Sequence, residues 1–279
     1  MARRIATTHP ARSACAVGAA IVAALIALTA ARAQNAPSAP APLSKACQAG
    51  AGALANETPL PRVAEALAQR KSLRILAMGA APGRVSTRGG GYTDLIETML
   101  ANALKGTEVV MINRGVSGEL AANAATRMKN EVALDEPDLV LWQVGTNDAL
   151  AYVGADEFAA IVKDQIDWLK AHKVDVVLVG LQFAPQMLRD AHYIEIRDTL
   201  RKVAARENVI VVRFFEAMQI VEQAAHAGAT PVADEFERSE AGYNCLAQYV
   251  ARTIALGVFA KGMPKGPAPP VPPVPPPAK

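Results

Sequence analysis

Little in this sequence can ligate a metal or supply a thiol: three cysteines and four histidines are spread over 279 residues, and the cysteines have no metal-type spacing. Charge is sparse as well. Only 20% of positions are charged against 51% hydrophobic, and the formal net charge of +3 is carried partly by Arg3, Arg4 and Arg12 at the front and Lys261, Lys265 and Lys279 at the back. The middle is therefore close to neutral, which leaves no basic stripe for nucleic acid. The apolar run from Ala16 to Ala30 is shorter than a membrane span needs. No metal and no cofactor is expected.

What is present first is a leader. Residues 1–33 combine a basic Met-Ala-Arg-Arg start, that apolar run and the small-residue exit Ala31-Arg-Ala33, which reads as a cleaved secretory signal rather than a membrane anchor. The expected location is periplasmic or secreted, with no membrane span after cleavage. Cleavage removes Cys15 and leaves Cys47 and Cys245 in an oxidising compartment, where one disulfide is the simplest outcome and two separate buried thiols the alternative. Residues 34–46 are an Ala/Pro/Ser-rich linker, 47–260 one folded domain, and 261–279 a Pro-rich tail that favours extended polyproline over core formation.

Within the domain, β-like apolar runs alternate with helical periods. Strands are predicted at Leu73–Met78, Glu108–Ile112, Leu139–Val144, Val174–Val179 and Val209–Val212. Helices are predicted over Thr58–Gln69, Tyr92–Leu104, Glu119–Leu134, Glu157–His172, Arg189–Arg206, Phe214–Ala225 and Glu240–Leu256. Strands separated by helices need crossover connections, so the expected fold is a three-layer α/β/α sandwich on a five-stranded parallel, doubly wound, flavodoxin-like sheet. In such sheets ligands bind beyond the carboxyl ends of the strands, near the switch in strand order.

The organising stretch is Asp138-Leu-Val-Leu-Trp-Gln-Val-Gly-Thr-Asn-Asp148, an apolar strand that stops in a Gly-Thr-Asn-Asp loop and so places Asn147 at that edge. The loops expected to gather there run from Gly79 to Gly91, Asn113 to Gly118 and Gly145 to Asp148.

Asn113-Arg-Gly-Val-Ser-Gly118 and Gly145-Thr-Asn-Asp148, in this order and each closing a predicted strand, resemble blocks two and three of the SGNH (GDSL-type) hydrolase family. The stretch Asp234-Glu-Phe-Glu-Arg-Ser-Glu-Ala-Gly-Tyr-Asn-Cys-Leu-Ala247 is similar to its block five. The resemblance covers about Cys47 to Leu256. It implies ester hydrolysis by a serine in the first loop, a histidine base, an aspartate three residues before that histidine, and an oxyanion hole. By position, Gly118 and Asn147 match oxyanion donors and Asp234 matches the aspartate.

The remaining two positions depart from the family. The first loop reads Met78-Gly79-Ala80-Ala81-Pro82, so the nucleophile position is Ala81, and the position three after Asp234 is Glu237 in place of histidine. After leader removal only His172, His192 and His226 remain, none of them in block five. Triad members act as a unit, so loss of both indicates release from hydrolysis, while oxyanion donors can persist without them. The expectation is a catalytically degenerate member retaining a pocket for an acylated glycan, a small ester or a protein partner. The alternative is an active esterase or carbohydrate O-acetyl esterase using another nucleophile, with Ser86, Thr87 and Ser117 as candidates, or a raised-pKa Glu237 activating water.

Overall fold

The computed structural model of the protein describes residues 42–48, 58–79, 91–227 and 235–259. The leader, most of the linker and the Pro-rich tail lie outside them, as do Ala81, Pro82, Ser86, Thr87 and Asp234. Among the described residues there are five strands: β1 (Ser72–Gly79), β2 (Glu108–Asn113), β3 (Leu139–Gln143), β4 (Asp175–Val179) and β5 (Ile210–Val212). The helices are α1 (Pro61–Gln69), α2 (Tyr92–Ala103), α3 (Ala121–Asp135), α4 (Thr146–Leu150), α5 (Ala155–Ala171), α6 (Ala191–Glu207), α7 (Phe214–Ala227) and α8 (Glu235–Phe259).

All strand pairs are parallel, in the order β2-β1-β3-β4-β5. This is the doubly wound order expected, with its switch between β1 and β3. The inner strands β3 and β4 and most of β1 read as apolar runs because both faces are covered, whereas the edge strand β2 is buried only at Val109. Leu73, Ile75, Leu139, Leu141, Val177 and Val179 enter one core beneath α1, α2, α7 and α8. Their alternates, among them Leu76, Met78, Val140 and Trp142, enter a second core beneath α3, α5 and α6. Each fully buried aliphatic side chain contributes about 1.5–3 kcal/mol relative to exposure, so neither face tolerates a register slip.

Two boundaries differ from expectation in ways that touch the site. The Gly-Thr-Asn-Asp segment is the start of α4 rather than an open loop, entered through Gly145 at φ +102°. The last helix begins at Glu235, not Glu240, so Glu237 lies within a helical turn. Near its middle α8 is anchored by the Cys47–Cys245 disulfide, with Cα atoms 5.4 Å apart and a sequence separation of 198. In the chain-entropy treatment closing a loop of that length is worth about 5 kcal/mol. Ser44 N–H also donates to Gln248 Oε1 at 2.8 Å, so the ordered arm on α8 starts before Cys47. No helix among the described residues is long and apolar enough to cross a membrane.

At the amino-terminal edge of the sheet, Asp175 accepts the backbone N–H of Arg62 at 2.9 Å and of Val63 at 3.0 Å, holding the first turn of α1. Pro61 begins that turn, where its missing N–H costs nothing. Burial is the main reason the Asp175 carboxyl is pushed up to about 6, against the lowering effect of the two N–H groups.

Between the unfolded value of 3.8 and about 6, the folded chain binds the Asp175 proton more readily than the unfolded chain does. This group therefore lowers stability as pH rises from 4 to 6, by no more than about 3 kcal/mol, and adds no further slope above that window. Chemical unfolding of Asp175→Asn against wild type from pH 4 to 8 is expected to show the variant gaining relative stability across pH 4–6 and a constant difference beyond. A flat difference throughout would contradict the assignment.

Candidate functional site

Three loops leave the carboxyl ends of β1, β2 and β3 side by side, and backbone geometry fixes each exit. Gly79, the last residue of β1, has φ +86° and is paired with Gln143 of β3. A Cβ at this position would lie 2.0 Å from the Gln143 carbonyl oxygen, so only glycine permits the approach. The chain then runs toward Ala81, outside the described residues.

The loop after β2 is tied back to β1. Arg114 N–H donates to the Ala77 carbonyl at 2.8 Å and Val116 N–H to the Gly79 carbonyl at 3.0 Å. Asn113 Oδ1 accepts the N–H of Gly115 at 2.9 Å, an Asx turn that starts the bend. Gly118 follows at φ +79°, exposed and with open space around it. Arg127 of α3 holds the far side of this loop: its guanidinium donates to both Glu119 carboxylate oxygens at 3.0 and 2.9 Å and to the Arg114 carbonyl at 2.7 Å. The Glu119 carboxylate raises the Arg127 pKa through these bonds.

The third loop is stitched to the second by adjacent side chains. Asn147 Nδ2 donates to the Glu119 carbonyl at 3.0 Å. Asp148, 1% exposed, accepts the Ala121 N–H at 2.9 Å and so holds the first turn of α3. Burial raises the Asp148 pKa, partly offset by backbone N–H donors including that of Ala121. Thr146 Oγ1 accepts the Gln182 N–H at 3.0 Å, joining the same turn to the chain leaving β4. An amide nitrogen carries two hydrogens, so Asn147 can spend one on Glu119 and direct the other at an oxyanion.

Of the residues singled out from sequence, Gly118 and Asn147 thus lie on neighbouring loops joined by a direct hydrogen bond. Glu237 lies in the opening turn of α8, three residues after Asp234, which is outside the described residues. Six residues beyond Glu237, Tyr243 pins that helix over the same sheet edge, packing on Tyr92 and Phe214 and accepting a hydrogen bond from Gln182 Nε2 at 2.9 Å.

Ser117 is exposed beside Gly118. His172 ends α5 at the opposite edge, stacked on Trp168 at 3.9 Å. His192, near the start of α6, has its Nδ1 3.4 Å from Glu195 and its Nε2 buried. Among the described residues no three His, Cys, Asp or Glu side chains converge as a metal site.

Asp148 and Arg127 were not singled out from sequence. Asp148 follows Asn147 and was read with the turn, and its partner N–H is 27 positions away. Nothing local in sequence marks the loop partners of Arg127, which lie 8 and 13 positions away.

Comparison with known proteins follows the same lines. The sequence-family model described as "Non-GDSL lipase-like family" matches residues 46–260. Esterase TesA of Pseudomonas aeruginosa is 27% identical over 126 residues, 45% of this chain and 61% of TesA, so the chain spans less than two thirds of that relative's length. An arylesterase of Vibrio mimicus is 26% identical over 157 residues, 53% of this chain and 74% of that protein. Among solved structures, the lipase/acylhydrolase from Enterococcus faecalis matches with a TM-score of 0.52 at 23% identity, covering 66% of this chain and 95% of the other, which shows a common fold.

Loss of the Asp148 carboxylate should loosen the loops around Gly118. Asp148→Ala is expected to cost about 1–2 kcal/mol, the usual range for removing such a helix-end acceptor, and to speed amide exchange at Ala121. Asp148→Asn, which keeps an acceptor, should do much less. Unchanged protection of the Ala121 amide in the alanine variant would contradict the role.

Proposed function

This chain belongs to the non-GDSL lipase-like family, and on that premise we propose that it is an exported protein that keeps the ligand pocket of an SGNH-type esterase fold and has given up ester hydrolysis. One observation carries this reading: the nucleophile position holds Ala81 and the base position Glu237. A methyl group cannot attack a carbonyl. A carboxylate without a serine to deprotonate contributes little, since nucleophile and base act together.

The surrounding geometry supports a retained pocket. Gly79 ends β1 two residues before Ala81, the place a nucleophile turn occupies in the family pattern. Gly118 and Asn147 remain on loops held together by Asn147 and Asp148, and oxyanion donors bind carbonyl oxygen without needing the triad. An ester-bearing or acylated ligand, such as an acylated glycan, fits donors of this type. A protein partner is the alternative occupant. Export is supported by the leader pattern of residues 1–33 and by the Cys47–Cys245 disulfide, a bond that persists in oxidising compartments.

A second reading, an active esterase with a different nucleophile, draws on the relatives named as esterases at 26–27% identity. Turnover of a chromogenic short-chain ester distinguishes the two. The mature protein should show none above buffer.

Rebuilding tests the site itself. Ala81→Ser with Glu237→His should give turnover above the parent, on the order of 100-fold more than Ala81→Ser alone if the base works as bases generally do; either change alone should give far less. Pro82, which lacks an N–H and restricts the residue before it, is replaced by serine in a third version. Hydrolysis by the parent would overturn the proposal. A folded triple variant as inert as the parent would show that the pocket no longer presents oxyanion donors.

A further inference from the structure

At the carboxyl ends of β4 and β5, farther along the same sheet edge, a small pocket is bounded by Leu181, Arg197, Arg201, Arg213, Phe215 and Glu216. Its charges do not balance. Arg197 donates to Asp198 Oδ1 from Nε at 3.0 Å and Nη2 at 2.9 Å and lies 4.0 Å from Glu216. Arg201 Nη1 is 3.5 Å from Asp198 and 3.4 Å from Glu216. Two carboxylates are thereby shared between two guanidinium groups.

Arg213, the residue after β5, is left over: no carboxylate among the described residues comes within 4.0 Å of it. It is only partly exposed, and burial is the first reason its pKa is lowered, Arg201 adding repulsion that Glu216 partly offsets. A cation partly withdrawn from water with no carboxylate in direct contact is costly, and Arg197 and Arg201 line the same pocket.

We propose that this pocket binds the carboxylate of a small ligand, with Arg213 as its principal donor. The planar guanidinium fork matches a carboxylate in bidentate geometry. A single negative charge neutralises the one positive charge in excess, whereas a phosphate dianion would reverse the sign beside Glu216 and Asp198. Phe215 lies under the Arg197 guanidinium at 5.0 Å and gives the pocket an apolar wall. Leu181 forms another wall and also packs against Gly145, where a Cβ would lie 2.6 Å from its Cδ1. The carboxylate pocket and the turn bearing Asn147 therefore share one side chain, although the pocket's chemistry does not depend on whether the neighbouring site hydrolyses esters.

The test uses the mature protein labelled with ¹⁵N at arginine, following the Nε–H resonances as sodium acetate replaces sodium chloride at constant ionic strength. The Arg213 signal is identified by its loss in Arg213→Lys. A saturable shift at Arg213 is expected, and a Tm-shift titration with acetate should show binding at least tenfold weaker in Arg213→Lys, whose backbone amide spectrum reports that it is folded. No saturable shift at Arg213, or equal affinity in the lysine variant, would overturn the site. Tighter binding of inorganic phosphate than of acetate would overturn the carboxylate assignment.

Discussion

Two adjacent side chains, Asn147 and Asp148, hold the site edge of this fold together. The parallel sheet can deliver the loops after β2 and β3 to the same edge, but it cannot set their spacing. That spacing comes from Asn147 reaching the Glu119 carbonyl and Asp148 reaching the Ala121 N–H. Because Asp148 is buried, breaking its bond would strand a polar group out of water, a penalty larger than the net worth of an exposed hydrogen bond. Arg127 adds a second clamp on the loop from the other side through Glu119 and the Arg114 carbonyl. Gly118 is consequently presented by a braced loop, even though its own surroundings are open.

The sheet was legible from sequence because β1, β3, β4 and β5 are largely buried on both faces and read as apolar runs against polar, periodic helices, while the edge strand β2 is buried only at Val109. The parallel, doubly wound class of sheet followed from strand and helix alternation. Less legible were features whose partners lie far away in sequence. Asp175 caps α1 across 113 positions, and Asp138 binds Arg70 and the Arg74 N–H across 68 and 64; nothing local distinguishes such buried acids from strand margins. The five-residue α4 is too short to show a helical period, and Gly-Thr-Asn-Asp has the residue types of a turn. The early start of α8 was hidden because Glu235, Glu237, Arg238 and Glu240 dilute the apolar pattern in its first turns.

The same helix connects architecture to the proposed loss of hydrolysis. Its opening turns carry the position where the family pattern has a base, and Tyr243 and Cys245 fasten the segment that follows to the sheet edge and to the amino-terminal arm. None of those anchors depends on a histidine at 237. The fold can therefore keep its packing while the residues that perform hydrolysis are exchanged, which is the physical basis for reading family membership and activity separately.

The central claim is that no nucleophile operates in a pocket that is otherwise kept. Intact-mass analysis of the mature protein after exposure to a serine-reactive phosphonate tests it most directly, because the reagent reports an activated hydroxyl without requiring the natural substrate. An unchanged mass is the expected result. A stoichiometric adduct mapped to Ser86 or Ser117 would contradict the account and identify the protein as a working esterase.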